Sequence, residues 1–96
     1  MYILGDIGNT ETKVCIVSNK NKIIKKIYFP SKEVTYNKLN QIFKKNKFKF
    51  KDIEKILFCS VVPKSFNLIK NFLAKKTNIK CYEVKNLNLK SLINVK

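Results

Sequence analysis

The chain has 96 residues and a formal net charge of +15, and all 21 of its basic residues are lysine. This length suits one small domain, which buries roughly 60% of its unfolded surface and is only modestly stable. The charge alone would suit a nucleic-acid partner. Arginine is absent, however, and it is the residue that reads guanine and phosphate bidentately, so we expect no specific nucleic-acid partner.

The sequence predicts neither a targeting segment nor a membrane span. The first residues carry no basic region and too short an apolar stretch for a signal peptide, and no later run approaches a membrane span. We therefore expect a cytoplasmic protein without a membrane partner.

The segment 44–51 is rich in lysine and aromatic residues, which alternate along it. Lysine, asparagine and isoleucine are, however, frequent throughout the chain, as in proteins from AT-rich coding sequences. This segment is interpreted as a solvated basic face.

Three strands are predicted first. Residues 2–4 and 14–17 are short apolar runs typical of two hairpin strands. Between them Gly8 and Asn9 are predicted to supply the positive φ of a tight turn. Residues 23–29 form the third predicted strand, which ends at Pro30.

Helices and strands alternate in the rest of the chain. Helical spacing of apolar residues predicts a helix over residues 36–43, capped by Ser31 or Thr35. The continuous apolar run 56–62 is typical of a central strand of a parallel sheet. Pro63 suits the first turn of a second helix, and residues 79–84 form a last strand. A three-strand meander followed by helix, strand, helix and strand is the order of a ribonuclease-H-like α/β half-domain.

The segment between the first two strands holds the parts of a phosphate site. Asp6 ends the first apolar run, where a carboxylate can hold Mg²⁺ directly or through water. A turn of Gly8, Asn9 and Thr10 can direct backbone N–H groups and a hydroxyl toward an anion, and Lys13 adds a positive charge. The simpler alternative is an ordinary hairpin turn with Asp6 as a turn former. That alternative leaves the clustering of acid, hydroxyls and lysine unexplained.

Two motifs resemble those of the type III pantothenate kinases, a branch of the actin, hexokinase and sugar-kinase superfamily. Asp6-Ile7-Gly8-Asn9-Thr10, followed by Thr12 and Lys13, resembles their first phosphate motif. The run 56–63, which ends Ser-Val-Val-Pro, resembles the strand and turn that precede a helix in the same family. The resemblance implies the amino-terminal half of an actin-like ATPase fold, which uses the ribonuclease-H-like unit twice.

The resemblance also implies an activity. It is the ATP-dependent phosphorylation of pantothenate to 4'-phosphopantothenate, a step of coenzyme A biosynthesis. The cofactors would be ATP, Mg²⁺ and a monovalent cation, K⁺ or NH₄⁺, and the family forms homodimers. Asp6 would hold Mg²⁺ through water, and Ser60 would shape its turn without touching substrate. The implied ATP site comprises Asp6, Ile7, Gly8, Asn9, Thr10, Glu11, Thr12 and Lys13.

Residues 1–96 would form one half-domain, because the family's Gly-Ala-Asp-Arg segment and second phosphate motif have no counterpart here. No catalytic base is therefore expected in this chain, which would be inactive alone as a natural truncation or a fragment. One alternative is a non-catalytic or regulatory module of the same fold that binds a partner chain. A ribonuclease-H-type nuclease is less favoured, because two-metal chemistry needs several carboxylates and the chain has six acidic residues in all.

The three cysteines, Cys15, Cys59 and Cys81, are interpreted as small buried hydrophobic residues. They lie far apart within apolar runs, and the chain has no histidine to complete a metal site or activate a thiol.

Overall fold

The computed structural model describes residues 1–46 and 49–84. In chain order these residues form strands β1 (Tyr2–Ile7), β2 (Glu11–Val17) and β3 (Ile23–Pro30), helix α1 (Tyr36–Lys45), strand β4 (Lys55–Ser60), helix α2 (Pro63–Thr77) and strand β5 (Cys81–Glu83). Short 3-10 turns at Ser31–Glu33 and Phe50–Asp52 precede α1 and β4. The predicted order of a meander and then helix, strand, helix and strand is confirmed.

The strands form one mixed sheet in the order β3-β2-β1-β4-β5. Strands β1, β2 and β3 pair antiparallel, whereas β4 runs parallel to both β1 and β5. The continuous apolar run had predicted that β4 would be the central strand. In the sheet β1 holds the central place, with β4 beside it, because the chain crosses over from β3 to the far side of β1.

Both helices pack on the same face of the sheet. The main core lies between the sheet, chiefly strands β1, β2, β3 and β4, and the apolar side of each helix. Its side chains include Ile3, Ile7, Val14, Ile56, Phe58, Leu39, Phe43, Ile69 and Phe72. A smaller cluster of Leu4, Cys15 and Val17 lies on the opposite face. Because successive strand residues point to opposite faces, each residue of β1 and β2 belongs to one of these two environments.

The helix ends follow simple local rules. Of the two candidate caps for α1, Thr35 is the one used, since its hydroxyl accepts a hydrogen bond of 3.1 Å from the backbone N–H of Lys38. Pro63 occupies the first turn of α2, as predicted. Helix α2 ends at Thr77 and is followed by Asn78, whose φ of 59° is the left-handed conformation that terminates helices.

Two local predictions are wrong. Neither Gly8 nor Asn9 has a positive φ; in the described residues only Asn21 and Asn78 do. The turn closes instead through a 3.0 Å hydrogen bond from the N–H of Gly8 to the carbonyl of Glu11. The run 56–62 does not continue as a strand to its end either. Because β4 stops at Ser60, Val61 lies in the following turn and is 63% exposed.

The basic segment 44–51 agrees with the predicted solvated face where the structure describes it. Lys44, Lys45, Lys49 and Lys51 are exposed, and residues 47 and 48 lie outside the described residues. Among the helices that the structure describes, none has the length and apolar character needed to cross a membrane.

Replacing Phe58 with alanine is expected to unfold the protein under mild conditions. The ring is completely buried at the centre of the main core, and deleting such a ring costs about 3–5 kcal/mol through lost burial and the cavity left behind. That cost is comparable to the whole stability of a small domain. Urea unfolding followed by circular dichroism measures it. Exposed Tyr82→Ala is the control, and an equal loss in both variants would contradict the assignment of Phe58 to the core.

Replacing Gly5 with alanine is expected to cost about 2 kcal/mol or more, because an added Cβ would lie 2.0 Å from the Phe58 ring. The matched control is Gly8→Ala, whose Cβ would approach only the Glu11 carbonyl, at 3.1 Å. Combining Gly5→Ala with Phe58→Ala should destabilise the fold by less than the sum of the single effects, since the clash disappears with the ring. Strict additivity in urea unfolding would show that the two residues do not interact.

Candidate phosphate-binding site

The carboxyl ends of β1 and β4 lie side by side and bring two turns together. The parallel register pairs Asp6 with Cys59 and Ile7 with Ser60. Just beyond the pair, the N–H of Val61 donates a 3.1 Å hydrogen bond to the carbonyl of Ile7. The 8–10 turn and the turn before α2 are thereby joined. In open α/β sheets ligands bind outside the carboxyl ends of the strands, which makes this edge the candidate site.

Asp6 presents a free carboxylate at this edge. Its side chain is exposed and lies on the face of the sheet opposite the helices. Within residues 1–46 and 49–84, the carboxylate accepts no hydrogen bond and forms no ion pair. Such a group is suited to Mg²⁺, which takes one or two carboxylates and completes its shell with water and phosphate oxygens. No group of three or more candidate metal ligands occurs among the described residues.

Lys13 lies directly across from Asp6 in the antiparallel register of β1 and β2. The two side chains therefore share one face, as the sequence predicted for parts of one site. Lys13 is half-buried, and its Nζ lies 5.9 Å from the centroid of the Tyr28 ring. A cation held over an aromatic face keeps its charge close to the sheet, where it can offset a phosphate.

The 8–10 turn offers two backbone donors. The N–H of Gly8 is used to close the turn, so it is not available to an anion. For Asn9 and Thr10, both exposed, the described part of the chain provides no acceptor for the backbone N–H. Adjacent N–H groups in a turn form a small anion-binding concavity. Within the part of the chain that the structure describes, the N–H groups of Asn9 and Thr10 are therefore free, and that of Gly8, which the sequence also offered as a donor, is not.

Three of the eight residues in the implied ATP site do not have side chains placed to bind phosphate directly: Ile7, Glu11 and Thr12. The side chains of Ile7 and Thr12 are both completely buried on the helix-covered face. The Thr12 hydroxyl forms a 2.7 Å hydrogen bond with the hydroxyl of Ser31. Glu11 is exposed, and its carbonyl accepts the bond that closes the turn. In this structure Ile7 and Thr12 support the turn from below and do not reach its outer surface.

Ser60 shapes its own turn, as the sequence suggested. Its hydroxyl accepts a 2.9 Å hydrogen bond from the N–H of Val62 and lies 3.0 Å from the Val62 carbonyl. This closed turn leads directly into α2. It also holds Val61 outward, so that an exposed apolar side chain stands beside the 8–10 turn.

Two serines buried close to the site were not predicted as part of it: Ser65, and Ser31, which the sequence offered only as a candidate helix cap. The Ser65 hydroxyl, in the first turn of α2, donates a 3.1 Å hydrogen bond to the Ser31 carbonyl. The Ser31 N–H donates to the carbonyl of Thr10. The available signal was weak, because single serines after Pro30 and Pro63 read as ordinary helix-start residues.

The chain was compared with known proteins. A family model for type III pantothenate kinase matches residues 2–96. The type III pantothenate kinase of Pelagibacter ubique (strain HTCC1062) is 51% identical over 96 residues, a match that covers 100% of this chain and 39% of the relative. The chain thus spans well under half of that relative's length.

Two solved structures share the fold. A putative N-acetylglucosamine kinase from Porphyromonas gingivalis superposes with a TM-score of 0.56 at 18% identity, covering 88% of this chain and 33% of that one. A Bacteroides thetaiotaomicron protein of unknown function with an actin-like ATPase fold gives 0.59 at 10% identity, covering 99% and 37%. At these identities the matches show the fold alone. They confirm the predicted α/β class and the actin-like ATPase fold, and the mixed sheet with its helices is consistent with a ribonuclease-H-like half-domain.

The thiols of Cys15 and Cys81 are expected to resist alkylation at pH 8. Burial raises the pKa of the Cys15 thiol and raises that of Cys81 to about 12, so almost no thiolate forms there, and the thiolate is the reactive species. Cys59 is only half-buried and should react first. Iodoacetamide labelling followed by peptide mass spectrometry gives the order. Labelling of Cys81 before Cys59 in the folded protein would contradict it.

Proposed function

Because the chain belongs to the type III pantothenate kinase family, we propose that residues 1–96 form the amino-terminal, ATP-binding half-domain of such a kinase. The reaction is transfer of the γ-phosphoryl group of ATP to the primary hydroxyl of pantothenate, which gives 4'-phosphopantothenate for coenzyme A synthesis. The observation that best supports this role is that, among the residues that the structure describes, the Asp6 carboxylate and the nearby backbone N–H groups of Asn9 and Thr10 in the following turn have no partner. The pantothenate pocket and the catalytic base are assigned to the remaining part of the enzyme.

Each residue of the site has a distinct part in this proposal. Asn9 and Thr10 bind phosphate oxygens through their backbone N–H groups, and the Thr10 hydroxyl is available to the same oxygens. Lys13 offsets phosphate charge from the neighbouring strand. Asp6 holds Mg²⁺, through water, and that ion when bound neutralises charge on the β- and γ-phosphates.

The protein contributes position more than covalent chemistry. Phosphoryl transfer needs the γ-phosphorus, the acceptor oxygen and the leaving oxygen in line, and fixed donors lower the barrier by holding the phosphate chain in place. A short turn between two paired strands suits this task, because its backbone donors cannot rotate away as long side chains can. The exposed Val61 lies in the neighbouring turn, whose backbone N–H bonds the carbonyl of Ile7.

The remaining features of the proposal are those of the family. We propose a cytoplasmic enzyme that forms homodimers and requires K⁺ or NH₄⁺ in addition to Mg²⁺. No described residue is assigned to the monovalent cation.

A partner-binding module of the same fold is the second candidate function. The observation that favours it is the pair of half-exposed rings, Tyr28 and Tyr82, on the sheet face opposite the helices. Aromatic side chains are enriched in protein interfaces. Nucleotide binding distinguishes the two candidate functions, because a partner-binding module need not bind Mg·ATP.

Titration of the chain with Mg·ATP is the direct test of the proposed site. In ¹⁵N-labelled protein, millimolar Mg·ATP is expected to shift the amide resonances of Asn9, Thr10 and Lys13 and to leave that of Asn78, at the far end of α2, unchanged. Weak binding is sufficient, because fast exchange reports it. Shifts confined to the exposed Lys44, Lys45, Lys49 and Lys51 would instead indicate general attraction of a polyanion, and would overturn the proposed site.

Asp6→Asn is expected to lower turnover about 100-fold or more, because Mg²⁺ supplies several kcal/mol of charge stabilisation in phosphoryl transfer. The assay uses a chimera in which this chain replaces the matching segment of the Pelagibacter enzyme, and it follows ATP-dependent phosphorylation of pantothenate. Asp52→Asn is the matched control, since Asp52 is exposed near the amino end of β1, beside the Met1 amino group. Equal activity of the two variants at saturating Mg²⁺ would remove the metal role from Asp6.

A further inference from the structure

Ser31 stands at the centre of a buried hydrogen-bonded tie beneath the 8–10 turn. All three of its polar groups are used: the N–H donates to the Thr10 carbonyl at 3.0 Å, the hydroxyl bonds the Thr12 hydroxyl at 2.7 Å, and the carbonyl accepts from the Ser65 hydroxyl at 3.1 Å. Thr12 is 0% exposed, Ser31 1% and Ser65 8%. One residue thus connects the turn, strand β2 and the first turn of α2.

The Ser31 tie, defined as Thr12, Ser31 and Ser65, complements a second bond on the other side of the turn. There the Val61 N–H holds the Ile7 carbonyl, as described above. Ile7, before the turn, is therefore fixed to the turn that precedes α2. Thr10, the last residue of the turn, is fixed to Ser31, which is itself bonded to Ser65 in the first turn of α2. Between these anchors lie the two N–H groups that have no acceptor among the described residues.

We propose that the Ser31 tie positions the Asn9–Thr10 donors for phosphate and is needed for tight binding of ATP beyond its contribution to folding. This inference rests on the proposed function, since it takes the 8–10 turn as the phosphate site. Its physical basis is pre-organisation: donors held in place before the ligand arrives lose little freedom on binding. Hydrogen bonds in a dry environment hold a position firmly, because no water competes for them.

A role in folding alone would also explain the three buried hydroxyls. A folding role and a positioning role predict different effects of a double substitution on stability and on ATP binding. Thr12→Val alone leaves the Ser31 hydroxyl buried without its partner, which destabilises the fold. Ser31→Ala alone does the same to Thr12. Removing both hydroxyls together leaves no unpaired buried group, so most of the stability should return. The backbone bonds of Ser31 to Thr10 and Ser65 remain in the double variant, but the hydroxyl bond that holds Ser31 to strand β2 is still missing, so the turn is held less firmly.

The kinetic experiment measures KM for ATP, KM for pantothenate and kcat in the chimera, together with thermal unfolding. For Thr12→Val, Ser31→Ala and the double variant, we expect KM for ATP to rise about three- to tenfold, the range that corresponds to one hydrogen bond. KM for pantothenate should stay unchanged. Thr12→Ser keeps a hydroxyl, so its KM for ATP should equal that of the parent chimera. Thr77→Val is the matched control, because it removes a 2.7 Å hydroxyl bond at the opposite end of α2.

The decisive result is the double variant. Recovered thermal stability with a KM for ATP that remains raised supports positioning. Recovery of both quantities together, or a rise no larger than in Thr77→Val, would overturn the proposal and leave the tie as a folding element.

Amide hydrogen exchange on the chain itself provides a second readout that needs no enzymatic activity. The Gly8 and Ser31 amides, whose bonds close and anchor the turn, should exchange about tenfold faster in the double variant, because the turn opens locally. The Glu54 amide, bonded to the Met1 carbonyl at the opposite edge, should not change. Equal changes at all three amides would overturn the proposal. If the parent chimera does not phosphorylate pantothenate, the proposed function fails, and exchange alone decides whether the tie fixes the turn.

Discussion

The packing of the Phe58 ring against the backbone of Gly5 is the contact on which the rest of the structure depends. Only a glycine leaves room for the ring, so β1 and β4 pair in one register. Because side chains alternate between faces, a slip by one residue would turn the core of β1 outward. The same register sets the ends of both strands level, and the 8–10 turn meets the turn before α2 at one edge of the sheet.

The alternation of faces also divides the site into two parts. Asp6 and Lys13 project from one face, which is that of the proposed metal and phosphate site, whereas Ile7 and Thr12 project into the core from the other. One short segment therefore supplies both the proposed ligand-binding residues and the residues that support them. Asp6 is exposed and Lys13 half-buried over the Tyr28 ring, whereas Ile7 is packed in the core and Thr12 is hydrogen-bonded to Ser31. A proposed site arranged in this way is accessible to a ligand and is connected directly to the core.

The sequence predicted the order of elements, the start of α2 and the position of the Asp6 to Lys13 segment, because each depends on local pattern or on a recognisable motif. It did not predict the exposure of Val61 or the roles of Ser31 and Ser65. Those depend on where β4 ends against β1 and on how α2 meets the segment after β3. The conformational freedom of glycine likewise favoured a positive φ at Gly8. The hydrogen bond from Gly8 to Glu11 that closes the turn does not require one. Contacts between distant segments decide such details.

The net charge of +15 attracts any polyphosphate, so charge alone cannot account for a specific nucleotide site. Salt screens that attraction within about 10 Å at 0.1 M. Fixed geometry at the carboxyl ends of β1 and β4 is not screened in this way. In the proposed site Asp6 adds a second criterion, because a carboxylate repels a bare phosphate and favours one that arrives with a divalent cation. Under this proposal the lysine-rich surface raises the local concentration of anions, and Asp6 selects those that carry a metal ion.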